Sequence, residues 1–296
     1  MQGDWRTAFE HYEHDRLQEA YELAEALGLG SGGQYASWYR LVEAEWLTRR
    51  RSKRVSLTDW LEFEYIEAEV GNSADGLAEI AVSACRRVAE RLGYTRNDKT
   101  LIAILAKEAD APWAANPWGY CADKYPFEKI CLPHHLVSRP RDFAQAVAHE
   151  FAHVISLNLS LGRAPRWLEE AVSVLAEWQY DGQVWVGFKR GRFAWLSPRA
   201  LEAAFASGDD EETEEDELWL AYQQAGWIGR YLGETFEEKR LGDLLREHTN
   251  ESVWRNLLGG LLGRTRTEMA MQAVYGLSTM QVFARSLDYL KELPRP

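Results

Sequence analysis

His149, Glu150 and His153, in the stretch "VAHEFAHV", are the residues of this chain whose types and spacing could do chemistry. On an α-helix each residue advances about 100°, so His153 falls about 40° from His149 and one turn along. Both imidazoles then leave the same face, where two neutral rings can share a divalent cation such as zinc. Glu150 lies about 100° round, beside the pair and splayed from it. That suits a carboxylate that touches a water held by the ion instead of the ion itself. A five-letter pattern also arises by chance, so its surroundings decide. Phe143, Ala144, Val147, Phe151, Val154 and Ile155 gather on the opposite side as a core stripe. Asp142, Gln145, Ala146 and Ser156 complete the histidine face with polar or small side chains. Between Val147 and Ile155 the one charge is Glu150, so no stray lysine or acid competes for the ligands.

A catalytic zinc takes three protein ligands and keeps a fourth position for water. The chain offers a third close by. "NLSLGRAP" breaks the helix with Gly162 and Pro165, and "RWLEEAVSVLAEW" begins another. Trp167, Leu168, Ala171, Val172, Val174, Leu175 and Trp178 form the apolar stripe of this second helix. Glu170 sits at the margin of the stripe, able to face the first helix, and is the expected third ligand. Glu169 points to the other side and Glu177 lies two turns on; both stay open as alternatives. The opposing reading is a core helix with two hydrogen-bonded histidines, and the agreement of motif, flanks, break and third carboxylate weighs against it.

"VAHEFAHV" followed by "PRWLEEAVSVL" resembles the peptidase MA-like group of gluzincin zinc metallopeptidases, which show a His-Glu-x-x-His helix and then a Trp-Leu-x-Glu-Gly segment. Aligning Trp167 and Leu168 on the family's Trp-Leu pair puts Glu170 on the ligand glutamate, with Ala171 where the family favours glycine. A softer likeness continues in "AYQQAGWIGRYLGETF" and in "AVYGLSTMQVFARSLDYL", so that it spans roughly residues 55 to 293. The resemblance implies Zn2+ as cofactor, a peptide or protein substrate, Glu150 as general base, and Tyr222 as the donor to the developing oxyanion. An aromatic that packs between helices is the plainer account of Tyr222. His134 and His135 could also approach the ion, although a surface or substrate-cleft pair explains them as well. Two rival functions remain beside the peptidase. One is a zinc-binding protein that does not cleave, or cleaves only with a partner. The other is an interaction scaffold that works through its N-terminus.

These residues need elements to hold them, and the sequence predicts an α+β fold. Residues 4 to 48 read as two helices around "LGLGSGG", and "RRRSKR" (Arg49 to Arg54) as a solvated linker. "WLEFEYIEA" alternates like a half-buried strand. A helix follows between Ser73 and Gly93, and "TLIAILA" is a buried strand. "GYCADKYPFEKICLPHHLV" reads as a hairpin whose second arm, Lys129 to Val137, carries Pro133 and is expected at the sheet edge. A peptide could add to that edge as an extra strand. From Arg141 onward the pattern is helical. The expected organisation is a helical hairpin appendage over residues 1–54 and a zincin-like metallopeptidase domain over 55–296. The latter divides into a small α/β lobe with a mixed sheet and edge strand (55–140) and a helical lobe (141–296). "DDEETEEDE" (Asp209 to Glu217), with eight acids in nine residues, reads as a mobile loop that could gate a cleft.

Composition narrows the partners. A net charge of −12 over 296 residues argues against nucleic acid and anionic membranes as main partners. No signal pattern opens the chain and no apolar run reaches the length of a membrane span. Three cysteines, Cys85, Cys121 and Cys131, are few and odd in number, as in a reducing compartment, so the expected location is cytoplasmic. A protein partner at the N-terminal hairpin is the one further interaction foreseen.

Overall fold

Five short strands build a sheet of order β1-β2-β3-β5-β4. Its strands are β1 (Lys53–Ser56), β2 (Leu61–Tyr65), β3 (Thr100–Ile104), β4 (Tyr120–Ala122) and β5 (Glu128–Leu132). The pairs β2–β3 and β3–β5 are parallel and the two outer pairs antiparallel, so the sheet is mixed. The computed structural model describes residues 4–32, 35–95, 99–108, 120–122, 128–181, 195–207, 215–250 and 264–293.

Among the described residues, the α-helices α1 (Trp5–Glu13), α2 (Leu17–Ala26) and α3 (Ala36–Arg49) precede the sheet. The short α4 (Glu67–Val70) and α5 (Ala74–Arg91) connect β2 to its parallel neighbour β3. After the sheet come α6 (Pro140–Ser160), α7 (Arg166–Asp181), α8 (Pro198–Ser207), α9 (Glu215–Phe236), α10 (Lys239–Glu247), α11 (Arg266–Tyr275) and α12 (Thr279–Glu292). The architecture is α+β. Two compact units divide it, residues 1–84 with 96–150 and residues 85–95 with 151–296. The N-terminal helices therefore share a unit with the sheet, and the dividing line falls inside α5 and α6. Among the described residues no helix is long and apolar enough to cross a membrane. Of the predicted acidic loop, residues 209–214 lie outside the described residues, and Glu215 to Glu217 open α9.

Four expectations need correction, and ion pairs explain most of them. The predicted first helix breaks in two at Asp15, which takes φ 56°. The break swings the Asp15 carboxylate onto Arg49 of α3, whose Nη2 donates to Asp15 Oδ2 at 2.7 Å. "RRRSKR" is not a solvated linker: Arg49 ends α3, and Lys53 and Arg54 begin β1. β2 is buried along all five residues instead of on alternate ones. Its two acids are tolerated inside because Glu62 pairs with Lys99 at 2.7 Å and Glu64 with Arg54 at 2.8 Å. Finally, β5 is not the edge. It stops at Leu132, lies between β3 and β4, and is followed by a 3-10 turn over His134–Ser138. β4 takes the edge position on that side, which removes β5 as the strand to which a peptide could add. The hairpin itself is present, with Cys121 opposite Ile130 and Tyr120 opposite Cys131.

The carboxylates of this network make stability depend on pH. For Asp15, burial alone would raise the pKa, but the hydrogen bond and charge of Arg49 outweigh it and hold the carboxyl below its ordinary 3.8. The Lys99 hydrogen bond likewise lowers Glu62 below its ordinary 4.5. A lowered folded-state pKa contributes stability that is fully present above the unfolded value and is lost as pH falls through the folded one. Urea midpoints should thus hold steady near neutrality and drop once pH goes below the ordinary carboxylate range. Asp15→Asn should flatten that drop; an unchanged acid limb would remove Asp15 from the account.

In the second unit, α7 and α9 pack at close range because α9 presents glycines. A Cβ at Gly229 would drive into the Ala171 carbonyl, and one at Gly226 into Val174 and Trp178. Gly229→Ala should force the helices apart and cost about 1–3 kcal/mol, read from urea unfolding. A loss within experimental scatter would contradict the close approach.

Candidate metal centre

α6 supplies two of the three expected ligands, and its burial singles them out. The predicted stripe of Phe143, Ala144, Val147, Phe151, Val154 and Ile155 is at most 2% exposed. Burial also extends to the other side, through Ala146, Ala148, Ala152 and Ser156. From Phe143 to Ser156, His149 and His153 alone escape full burial. Between its two ends the helix thus opens at one place, and that place is the histidine pair. Glu150, next to them, is 5% exposed.

The turn after α6 brings the third group back. Leu161 and Gly162 both adopt positive φ, 52° and 64°, and the Gly162 N–H reaches the Leu157 carbonyl at 3.1 Å. That six-to-one bond closes a Schellman motif and ends the helix. Pro165 then leads into α7, whose predicted stripe from Trp167 to Trp178 is buried throughout. Trp167 packs edge-on against Phe283 of α12, with centroids 5.0 Å apart. So anchored, α7 carries Glu170, 9% exposed, to the histidines.

One ligand atom from each of His149, His153 and Glu170 lies within 4.8 Å of the others. His153 Nε2 and Glu170 Oε2 stand 3.5 Å apart. Two ligands of a tetrahedral zinc, each at its usual bond length, are separated by about 3.4 Å. Two imidazoles and one carboxylate form a donor set that zinc accepts, with one position left for water. The residues fit the ion.

Glu169, Glu177, His134 and His135 do not belong to this group. Glu169 is partly exposed, and Glu177 is buried farther along α7. Tyr222 lies on α9, where its ring meets Phe205 edge-on at 5.2 Å and packs against the cluster of Val174, Trp178, Trp227 and Leu290. Sequence periodicity missed the neighbouring glutamines. Gln223 and Gln224 are buried, and the Gln224 amide holds both the N–H and the carbonyl of Leu196 at 2.8 Å. Two adjacent amides beside a stripe of alanines and glycines gave no pattern that separates core from surface.

Compared with protein-family models, with curated proteins and with solved structures, the chain matches none.

Proposed function

We propose that this protein is a zinc-dependent peptidase of gluzincin type with a zincin-like fold, hydrolysing peptide bonds in peptide or protein substrates. The observation that carries this reading is the approach of His149, His153 and Glu170 on two successive helices. Glu150, next to His149 in the chain, is outside this group. His149, His153 and Glu170 would hold the ion, and bound zinc supplies the Lewis acidity that brings the pKa of a water to about 7. Glu150 would accept the proton of the attacking water and deliver it to the departing amine. Proton transfer and bond cleavage balance through this one carboxylate. Tyr222 donates to the oxyanion, from the edge of the α7–α9 packing. The small, odd number of cysteines, Cys85, Cys121 and Cys131, supports a cytoplasmic location, and the net charge of −12 supports a partner other than nucleic acid.

Metal analysis of the purified chain tests the reading, with one zinc per chain expected and its loss in His153→Ala and Glu170→Gln. A wild-type chain that takes up no zinc on refolding with the metal would sink it. Tyr222→Phe keeps the ring and its packing while removing the hydroxyl. It is expected to lower kcat about 10²-fold with an unchanged melting temperature. An unchanged kcat would reduce Tyr222 to its packing role.

A further inference from the structure

Far along the chain from the histidines, the first unit holds a cavity of about 360 Å3 beside the α1–α2 turn, the end of α3 and β1. Four arginines line it, Arg16, Arg49, Arg50 and Arg54, together with Asp15, Glu19 and Glu64. The charges do not cancel evenly. Arg49 and Arg54 are committed to Asp15 and Glu64, at 2.7 Å and 2.8 Å. That set of four is neutral. The guanidinium groups of Arg16 and Arg50 have no hydrogen bond or ion pair among the described residues, and both residues are exposed. Glu19, also exposed, is the one carboxylate at the wall outside the neutral set. Two uncommitted cations thus face one uncommitted acid, in a chain whose overall charge is −12.

Donors also exceed acceptors here. α2 begins at Leu17 with Arg16 as its N-cap, and no side chain caps it. Leu17, Gln18 and Glu19 of its first turn also line the wall, and the first-turn N–H groups of a helix have no intrahelical acceptor. A ligand suited to this wall is small, carries more than one negative charge and offers several oxygens. A carboxylate brings one charge and two oxygens, whereas a phosphate monoester brings nearly two charges and three terminal oxygens.

We propose that this cavity is a binding site for a phosphate group, either free phosphate or the phosphate of a small ester, with Arg16 and Arg50 as its principal cations. The site is independent of the peptidase reading.

The test is calorimetric titration of the full-length, zinc-stripped chain with inorganic phosphate and, in a second arm, with glycerol 3-phosphate, at constant ionic strength. Saturable binding of one equivalent is expected in at least one arm, and the stronger arm identifies the source. Arg16→Ala and Arg50→Ala should each weaken it about tenfold, and Glu19→Gln should tighten it. These three side chains are exposed, so melting temperatures without phosphate should match wild type. The His149→Ala variant should bind phosphate as wild type does. No saturable binding in either arm, binding that ignores both arginines, or binding that follows the histidines would overturn the proposal.

Discussion

Glu150→Gln is expected to keep its zinc and lose peptide hydrolysis by about 10²–10⁴-fold in kcat/KM, the usual contribution of a positioned general base. The glutamine is close in size and can still accept a hydrogen bond from water. It cannot take the proton. Glu150 is outside the ligand group and 5% exposed, so the substitution should disturb neither the metal stoichiometry nor the enclosed face of α6. The measurement is a pair: zinc content, and hydrolysis of casein or of a peptide library, on wild type and variant. Full zinc with equal cleavage would show that another group moves the proton. Full zinc with no cleavage by either form would leave a zinc-binding protein without peptidase action. Loss of zinc in the variant would place Glu150 among the ligands and overturn the division of labour proposed here.

The approach of His149, His153 and Glu170 was legible because these residues lie on two helices joined by a short break. Periodicity fixes which side chains share a helix face, and Gly162 with Pro165 announces the return. Local rules were therefore enough to bring Glu170 to the histidines. They failed where the deciding partner came from far along the chain. Glu62 and Glu64 alternate with Leu61, Phe63 and Tyr65 as solvent-facing residues would, yet both are buried, because Lys99 and Arg54 meet them. No window of sequence around β2 contains Lys99. The break at Asp15 is of the same kind, since its cause is Arg49, 34 residues away. The place of β5 failed for another reason. Pro133 does mark an end of pairing, but the end of the strand instead of the edge of the sheet. Both readings satisfy the rule that proline cannot donate to a ladder, and only the position of β4 decides between them.

The same long-range pairing makes the N-terminal helices more than an appendage, and Lys129→Met should reveal it. Lys129, on β5, is 3% exposed and donates to Glu45 of α3, which is 0% exposed. Tyr12 of α1 donates to the other oxygen of Glu45, and the Lys129 ammonium sits 3.9 Å from the centroid of the Tyr12 ring. Removing the lysine strands a carboxylate in an enclosed place, where the attraction that offset its desolvation is gone. Breaking such a pair from one side costs about 3–5 kcal/mol, a large part of the 5–15 kcal/mol that hold a domain together. The double variant Lys129→Met/Glu45→Gln removes both charges and should recover most of the loss, since an uncharged pair of similar volume is often neutral. Urea unfolding of the single and double variants reads this directly; a single-variant loss below about 1 kcal/mol would mean that water reaches Glu45 and the pair counts for little. By the same reasoning, a chain lacking residues 1–54 would leave Lys129 unpaired inside the sheet and also take Arg49 and Arg54 from Glu64. That truncation should fail to fold, not merely lose a docking surface. Any role of the N-terminus in binding then has to be probed by point changes at its surface, such as Arg16→Ala, with the buried pair intact.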